Sequence, residues 1–374
     1  MRFSIFHNFD AIGRWHDYHT VMREVVEIAR LADDAGFWSI WYPEQHFRLE
    51  GNEAVPNAVL QGAWTAAHTK RIRIGQAANI VTQWHPIRLA EDLAVLDQMT
   101  GGRIEIGVGR GFAYEAVNFN TAADTRNQEQ NRALFEETVE ILKKAWTNES
   151  FAHKGRFYQF PVPGVRWDYE IPPASPQLVD PDRTITRLAV TPRPFQKPHP
   201  PLWQPVDSPR SIEFAAENDI LGLMWGPTIP VLKQRFEAFR AAGIKARGGT
   251  VKLGERLALL RDTYVADTMA EARRASESSI VESYKWILGR RGRARVLNPG
   301  EALTDEMNLD FDFLFPRNLL VGTPEFVIDK IHELREALNL EHLFIWTSQA
   351  RMSHLSSMKS LALFAEKVMP AFAD

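Results

Sequence analysis

The sequence of 374 residues contains no cysteine. This absence excludes disulfide bonds, thiolate nucleophiles, iron–sulfur clusters and cysteine-bound zinc, and we predict no metal site. Any redox chemistry must therefore come from a bound cofactor. A run of about 18 apolar residues, long enough to span a membrane, is also missing. Because residues 1–4 open directly into a predicted strand rather than a signal peptide, we expect a cytoplasmic protein with no membrane partner.

A strong charge excess is missing as well. The formal net charge is −3 at pH 7, so the chain offers no electrostatic footprint for nucleic acid. Hydrophobic residues make up 45% and charged residues 24%, which is ordinary globular usage and argues against a disordered or fibrous chain. The length fits one large α/β barrel domain.

The stretch from residue 71 to residue 111 is predicted to form a strand, a helix and a second strand. Apolar side chains recur in it at helical spacing, and a proline stands where a first helical turn tolerates a missing N–H. Paired glycines then end the helix, and a buried strand follows. The pattern is carried by Ile72, Ile74, Pro86, Leu89, Leu93, Leu96, Gly101, Gly102 and the run Ile104–Val108. Two parallel strands joined by a crossover helix are implied.

The second of these strands ends in Gly107-Val108-Gly109-Arg110-Gly111. Alternating glycines let backbone N–H groups approach an anion closely, and Arg110 supplies a fork of donors suited to phosphate. The spacing differs from the dinucleotide-binding fingerprint, because Phe112 stands where that motif requires a third glycine. By itself the pattern is compatible with a phosphate site or with a plain strand-to-loop turn.

Seven short strings occur in the order found in the bacterial luciferase-like flavin monooxygenases, a family that the chain resembles over most of its length. They are EQHF (44–47), GQAA (75–78), HP (85–86), LDQMTGGR (96–103), GVGRG (107–111), NRALFEE (131–137) and VGTPE (321–325). The resemblance implies a (β/α)8 TIM barrel in the α/β class. It also implies reduced flavin at the carboxyl ends of the strands and oxygen activation through a flavin hydroperoxide.

The resemblance further implies a set of cofactor-binding residues. Its arginines and serines are expected to hold the flavin phosphate, and its two alanines are expected to form a cis peptide beneath the flavin ring. From the residues alone, the second arginine could be a solvated side chain, the alanines a packed strand and the serines plain helix caps. The set comprises Ala77, Ala78, Asn79, Arg110, Gly111, Phe112, Arg132, Asp207, Ser208 and Ser211.

A histidine follows the second predicted strand, where barrel enzymes gather their chemistry. His46 is therefore a candidate proton donor or acceptor, although it could also be a structural histidine. The luciferases proper carry Glu-His-His-Phe here, with the middle histidine implicated in catalysis, and Gln45 occupies that place in this chain. The resemblance leaves His46 as the catalytic candidate and puts aldehyde oxidation by the luciferase route in doubt.

Eight strands are predicted along the chain, the last of them over 342–347, and the whole chain is predicted to form one barrel domain. Prolines crowd the segment of about 160–209, which we predict to be an insertion that covers the active-site mouth or makes a subunit contact. A segment of about 288–307, rich in arginine and glycine, corresponds to the flexible luciferase lid and is predicted to be a mobile lid.

The residues and the resemblance together predict a reduced-FMN-dependent monooxygenase. It would transfer one oxygen atom from O2 to an apolar organic substrate, and a separate NAD(P)H-dependent flavin reductase would supply the reduced FMN. We expect a homodimer or a dimer of dimers. Two alternatives stay open: an F420-dependent hydride-transfer enzyme and a non-catalytic flavin-binding barrel.

Overall fold

The computed structural model describes residues 1–14, 17–171, 173–304 and 307–373. Parallel strands alternate with helices along the chain in the order of a (β/α)8 barrel, so the predicted fold class is confirmed. Two compact bodies are distinguished by their internal contacts: Met1–Ala78 with Leu202–Asp374 forms the first body, and Asn79–Pro201 forms the second body. Each is described in turn.

The helices and strands have the following bounds. As far as residue 160 they are β1 (Arg2–Phe6), α1 (Tyr18–Ala35), β2 (Ser39–Tyr42), α2 (Ala58–His68), β3 (Arg73–Ile80), α3 (Pro86–Thr100), β4 (Ile104–Gly109), α4 (Ala113–Phe119), α5 (Gln128–Thr147), β5 (His153–Lys154) and β6 (Gln159–Phe160). Beyond it they are β7 (Leu202–Pro205), α6 (Pro209–Glu217), β8 (Leu221–Trp225), α7 (Ile229–Arg247), β9 (Leu257–Val265), α8 (Met269–Arg291), α9 (Phe311–Asn318), β10 (Leu319–Gly322), α10 (Pro324–Leu338), β11 (His342–Trp346) and α11 (His354–Leu363).

The first body contains a parallel sheet with strands in the order β3-β2-β1-β11-β9-β8-β7. Phe6 at the end of β1 lies in register with Trp346 at the end of β11 and with Trp41 in β2. The carboxyl ends of neighbouring strands are therefore level with each other. In a parallel barrel, the residues at this end are the ones that reach a ligand.

Large aromatic rings fill the centre of the first body. Trp41 packs edge-to-face against Trp203 and Phe344, with ring centroids 5.5 and 5.3 Å away. Gly75 in β3 makes room for the Trp41 ring, because a Cβ at this glycine would lie only 2.1 Å from a ring carbon. Strands that are buried on both faces carry nearly continuous apolar side chains, and all nine residues of β9 are buried.

The second body is built around α3, α5 and β4. The indole of Trp146 on α5 donates a hydrogen bond of 3.0 Å to the carbonyl of Ala90 on α3. Glu137, also on α5, accepts backbone hydrogen bonds from residues 156–158 and pairs with the buried His153 at 3.1 Å. This buried carboxylate fixes the turn between β5 and β6.

The structure differs from the predicted pattern before Thr323, where it has an additional strand. This strand, β10, pairs in parallel with the carboxyl half of β9, from Leu319 opposite Asp262 to Gly322 opposite Val265. All four of its residues are buried, and it follows α9 without an intervening turn residue. A short run of buried residues next to a helix shows no alternation of apolar and polar residues. The sequence pattern therefore does not separate β10 from α9.

A second difference lies at the start of the predicted lid. Helix α8 continues to Arg291, because Ile280, Tyr284 and Leu288 recur every fourth residue and all three are buried. Residues 305 and 306 of the predicted lid lie outside the described residues, and the mobility of the lid stays a prediction.

The predicted insertion runs irregularly from Pro161 to Pro201, while its last residues form β7 and the beginning of α6. Its residue 172 lies outside the described residues. Among the helices that the structure describes, none is both long and apolar enough to cross a membrane.

Candidate active site

His46, the candidate proton carrier, lies just beyond β2 in the first body. Its Nε2 atom forms a hydrogen bond of 2.9 Å with Oε1 of Glu44, and the side chain of Glu44 is almost completely buried. The His46 side chain is 12% exposed, so solvent or a ligand can still reach it. A buried carboxylate that holds one ring nitrogen fixes the orientation of the imidazole, as in many acid–base pairs.

Gln45 has a different environment from His46. Its side chain is buried, its Oε1 accepts a short hydrogen bond from the guanidinium of Arg48, and its backbone N–H donates to the carbonyl of Val55 at 2.9 Å. An amide cannot exchange a proton near neutral pH. Gln45 therefore supports the loop, and His46 is the titratable side chain of this pair.

The Ala77-Ala78 peptide at the end of β3 is cis, as the resemblance predicts. Ala77 is half-buried and packs against a cluster of buried apolar side chains from the ends of the neighbouring strands and from α8. The cluster consists of Phe6, Trp41, Trp203, Leu223, Leu260, Ile287, Phe344 and Trp346, together with Ala258. The first body therefore presents an apolar aromatic surface beside the predicted flavin support.

A buried carboxylate holds one aromatic side chain of this surface in place. Asp262 accepts hydrogen bonds from the indole of Trp225 (3.1 Å), the hydroxyl of Tyr284 (2.9 Å) and the amide of Gln349 (2.8 Å). Burial raises the pKa of Asp262 to about 6, although the hydrogen bonds from Tyr284 and Trp225 oppose that rise. Asp262 thus fixes the orientation of Trp225, which stays half-buried at the end of β8.

Ser208 and Ser211 lie at the beginning of α6 and form a capping box. The hydroxyl of Ser211 donates to the carbonyl of Ser208 at 2.8 Å and accepts from the backbone N–H of Ser208 at 3.0 Å. The hydroxyl of Ser208 accepts from the backbone N–H of Ser211 at 3.3 Å. Both serines therefore act as helix caps, which is the structural role that the sequence left open.

Asp207 precedes this cap and forms a short ion pair with Arg295, from the segment predicted as the lid. Arg235 on α7 belongs to the same group of charges. Its pKa is lowered first by burial and also by the charge of Arg295, while the charge of Asp207 raises it. The first body therefore places two arginines and one carboxylate near the N-terminus of α6, where the helix dipole favours an anion.

Arg110 is the centre of a polar cluster in the second body. Its Nη1 donates to the amide oxygens of Gln128 (3.0 Å) and Asn131 (3.3 Å), and its carbonyl accepts from the hydroxyl of Thr82 (3.1 Å). Gln128 and Asn131 are neutral, so these two contacts orient the guanidinium without neutralising its charge. A guanidinium also presents a fork of donors that suits a phosphate.

Gly111 and Gln83 complete the cluster around Arg110. Gly111 has a φ of +75°, and a Cβ on it would lie 2.5 Å from a methyl carbon of Ile80 and 3.2 Å from the amide nitrogen of Gln83. Within the described part of the chain, neither polar atom of the Gln83 amide has a hydrogen-bond partner, although both atoms are buried. Buried amides are rarely left unpaired, so these groups fit a ligand that carries both acceptors and donors, such as the phosphate and hydroxyl groups of FMN.

The other predicted residues of the second body lie around this cluster. Asn79 is buried and donates to the carbonyl of Gly107 at 3.3 Å, while Phe112 is half-buried at the start of α4. Arg132 is half-buried on the same face of α5 as Gln128. It makes no hydrogen bond or ion pair with any side chain in the ranges that the structure describes. No residue of the cofactor-binding set is excluded, and each assignment stays a prediction.

Sequence reasoning did not identify Glu44, Gln83, Asn131, Arg295 and Asp262. Glu44 stands in the string that contains His46, and Asn131 opens the string that contains Arg132, so both had a local signal. Gln83 lies three residues before Pro86, and only the three-dimensional structure shows that its amide has no hydrogen-bond partner among the described residues. Arg295 and Asp262 are brought to their partners by the fold, and a single sequence carries no signal for such contacts.

The comparisons with known proteins agree with this geometry. The profile of the luciferase-like monooxygenase family matches residues 1–340. The chain belongs to the luciferase-like monooxygenase family. This membership makes it an oxidoreductase that uses a flavin.

Luciferase-like relatives cover nearly the whole chain. The oxygenase component of flavin-dependent trigonelline monooxygenase from Acinetobacter baylyi is 27% identical, covering 100% of this chain and 96% of its own length. The solved oxygenating constituent of 3,6-diketocamphane monooxygenase from Pseudomonas putida, in complex with FMN, is 23% identical, with a TM-score of 0.76 over 99% of this chain and 98% of its own. An F420-dependent secondary alcohol dehydrogenase shares the fold at a TM-score of 0.71 and 16% identity, over 100% of this chain and 99% of its own.

Proposed function

We propose that the protein is the oxygenase component of a two-component system that uses reduced FMN. The observation that supports FMN most directly is the Arg110 cluster, in which two neutral amides hold a guanidinium beside Gly111. A flavin that ends in a phosphate would bring an anion to this guanidinium, and the luciferase-like relative from Pseudomonas putida was solved with FMN.

The bound cofactor would supply the redox chemistry, in which reduced FMN would react with O2 through a C4a-hydroperoxide. One oxygen atom would enter the substrate and the other would leave as water. The flavin would end oxidised. The residues of the chain bind the cofactor and hold or deliver a proton. Arg110 and Arg132 bind phosphate, and the alanine pair supports the flavin ring. His46 holds or delivers a proton at its imidazole, while Glu44 positions that ring.

The apolar cluster around Ala77 supports an apolar organic substrate. Trp225 and Trp346 lie with their ring centroids 6.4 Å apart, and the orientation of Trp225 is set by Asp262. Aromatic walls bind a compact hydrophobic molecule by contact area and exclude water from the reacting atoms. A separate NAD(P)H-dependent reductase would supply reduced FMN, in keeping with the name of the trigonelline relative as an oxygenase component.

The test uses the purified protein, an independent flavin reductase with NADH and FMN, and isotopically labelled O2. Trigonelline, diketocamphanes and other cyclic ketones form the first substrate panel, and mass spectrometry detects products. We expect a product that carries one labelled oxygen atom and forms only when FMN is reduced. A parallel anaerobic reaction with F420 and alcohols measures hydride transfer. Reduction of F420 without any oxygenation would replace the proposed function with the F420 alternative.

A further inference from the structure

A small cavity lies in the first body between the strands β9 and β10 and the helices α7, α9 and α10. Its volume is about 30 Å³, which is room for about two occupants of the size of a water molecule. Its lining includes Arg261 of β9, Asn318 at the end of α9 and Lys330 of α10. We call it the Arg261 cavity.

Arg261 points away from the centre of the barrel. Ala258 and Leu260 of the same strand belong to the apolar cluster around Ala77, and side chains alternate between the two faces of a strand. The side chain of Arg261 therefore lies on the opposite face of β9 from that cluster, and the residue is only 2% exposed. Its Nη2 donates a hydrogen bond of 2.7 Å to the carbonyl of Pro227, in the loop between β8 and α7.

The other terminal nitrogen of Arg261 has no protein partner. Its Nη1 is buried, and no acceptor among the residues that the structure describes bonds to it. In the same part of the chain, Arg261 forms no ion pair with a carboxylate. The neighbouring Asp262 lies on the opposite face of the strand, where its carboxylate accepts hydrogen bonds from Trp225 and Tyr284.

Burial makes the charge of Arg261 costly. It lowers the pKa of Arg261 to about 10, although the charges of Tyr284 and Asp262 oppose this lowering. Because this pKa is still well above neutral pH, the guanidinium stays charged at pH 7. A buried charge is strongly destabilising unless a group of opposite charge or further hydrogen bonds compensate for it. An anion against Nη1 would supply both.

The charged side chains around the cavity leave one positive charge in excess. Arg317 lines the cavity and donates to both carboxylate oxygens of Glu301, at 2.7 and 3.2 Å. Lys330 pairs with Glu333 at 2.8 Å. Each of these two pairs is neutral, so neither carboxylate balances the charge of Arg261. An excess of one positive charge matches a monovalent anion.

We propose that the Arg261 cavity binds one chloride ion, which accepts a hydrogen bond from Nη1 of Arg261. The amide nitrogen of Asn318 donates to the carbonyl of Gly226, which fixes the orientation of the amide. The amide oxygen is buried, has no hydrogen-bond partner within the described ranges and can only accept. A water molecule that donates to this oxygen and to the chloride fills the rest of the volume.

The size and the position of the cavity agree with chloride. A volume of about 30 Å³ holds a single-atom anion and one water molecule, whereas a phosphate or a sulfate alone brings five heavy atoms. The side chains of Lys330 and Glu333 are 35% and 51% exposed, so an ion can enter from the solvent between them.

Bromide tests the position of the anion directly, because it replaces chloride and scatters X-rays anomalously. A crystal of the full chain in sodium bromide, measured at the bromine absorption edge, should show an anomalous peak next to Nη1 of Arg261. Bromide bound only elsewhere on the protein would overturn the proposal. Water at Nη1 without an anomalous signal would overturn it as well.

Thermal unfolding tests the same site in solution. The Tm of the chain without FMN is recorded over a chloride series in which sodium gluconate keeps the ionic strength constant. A ligand that binds only the folded state raises the Tm as its concentration rises. Arg261→Met replaces the buried charge by an apolar side chain, so the apparent Kd for chloride should rise at least about tenfold. Lys330→Gln removes the excess charge but keeps Arg261, and it should weaken chloride binding less.

Two control variants separate this cavity from other cations of the protein. Lys359→Gln removes an exposed lysine of α11, and Arg110→Ala removes a cation of the second body. Both should leave the dependence of the Tm on chloride unchanged. An unchanged dependence in Arg261→Met or in Lys330→Gln would overturn the proposal, and so would its loss in Arg110→Ala. The Lys330→Gln comparison stands even if Arg261→Met does not fold, and no outcome depends on FMN or on turnover.

Discussion

The two bodies hold their predicted cofactor groups in different ways. In the second body, Arg110 donates hydrogen bonds to Gln128 and Asn131, and the buried amide of Gln83 has no hydrogen-bond partner among the described residues. In the first body, the two serines at the beginning of α6 bond to each other, and Asp207 pairs with Arg295. The first body also contains the His46–Glu44 pair. The difference teaches that the second body has buried polar atoms available to a ligand, and that the first body contains the pair suited to move a proton.

The largest expected effect concerns turnover. His46→Asn keeps a hydrogen-bonding side chain but cannot titrate, so turnover at saturating reduced FMN should fall about 100-fold, while FMN affinity changes little. Steady-state oxygenation and a flavin titration measure the two quantities. Glu44→Gln is the matched variant: it keeps the contact with His46 and should reduce turnover less. Near-equal turnover of wild type and His46→Asn would show that a residue other than His46 transfers the proton.

The next effect concerns affinity. Arg110→Ala removes a charged hydrogen bond to a charged group, which contributes about 1.5 to 3 kcal/mol, so the Kd for reduced FMN should rise roughly tenfold or more. Anaerobic fluorescence titration measures the Kd. Arg187→Ala, a change at an exposed arginine that bonds to Ser150, is the control and should leave the Kd unchanged. An unchanged Kd for Arg110→Ala would show that Arg110 does not bind FMN. The proposed difference between the two bodies would then be wrong.

A smaller effect is expected at the beginning of α6. Ser208→Ala removes the cap, so the free energy of unfolding should fall by about 1 kcal/mol in a urea titration. The Kd for reduced FMN should change less than in Arg110→Ala, because the serine hydroxyls already bond within the cap. Ser208→Thr, which can still cap, should recover the stability. If Ser208→Ala weakened FMN more than Arg110→Ala, the ranking of the two clusters would be wrong.

The smallest effect concerns acid stability of the first body. His7 is buried and bonds to Ser348 at 2.8 Å, and burial, with a smaller effect of His354, lowers the pKa of His7 to about 3. The unfolded chain has a histidine pKa near 6.5 and takes up the proton first, so stability is full above about pH 6.5 and is lost as the pH falls toward 3. Between pH 7.5 and 6 the loss should be about 0.8 kcal/mol.

Urea titrations of wild type and His7→Gln at both pH values measure this contribution. The His7→Gln chain should show a smaller loss on acidification than the wild type. The buried His342 also has its pKa lowered by burial, so it contributes with the same sign in both chains. Equal losses in both chains would contradict the assignment of the acid sensitivity to His7.

Most of the barrel could be predicted from the sequence because its elements carry strong local signals. Pro86 and Gly101 mark the two ends of α3, and apolar spacing marks the helix between them. β10 was not predictable, since four buried residues that directly follow a helix show no period of their own. The continuation of α8 into the arginine-rich segment depends on burial of Leu288, a tertiary contact that outweighs the polar composition.

The candidate site was predictable only where motif and function coincide. The cis Ala77-Ala78 peptide and the position of Arg110 follow from the resemblance, and both are found at strand ends. The groups that orient other side chains were not predictable. Glu44 forms a hydrogen bond with His46, two residues further along the chain. Asp262 accepts hydrogen bonds from side chains of β8, α8 and the loop after β11. The fold brings such groups to their partners, so the number of residues between them in the sequence is not fixed.

The most direct test of the central claim is rapid mixing of the anaerobic complex of protein and reduced FMN with oxygenated buffer, while the flavin absorbance is recorded. The account predicts a transient spectrum that differs from both reduced and oxidised FMN and lasts longer than with free flavin. Arg110→Ala at the same FMN concentration should show a smaller amplitude of that transient. Direct conversion to oxidised FMN, at the rate of free reduced FMN and with the protein saturated, would contradict the assignment as a reduced-FMN monooxygenase.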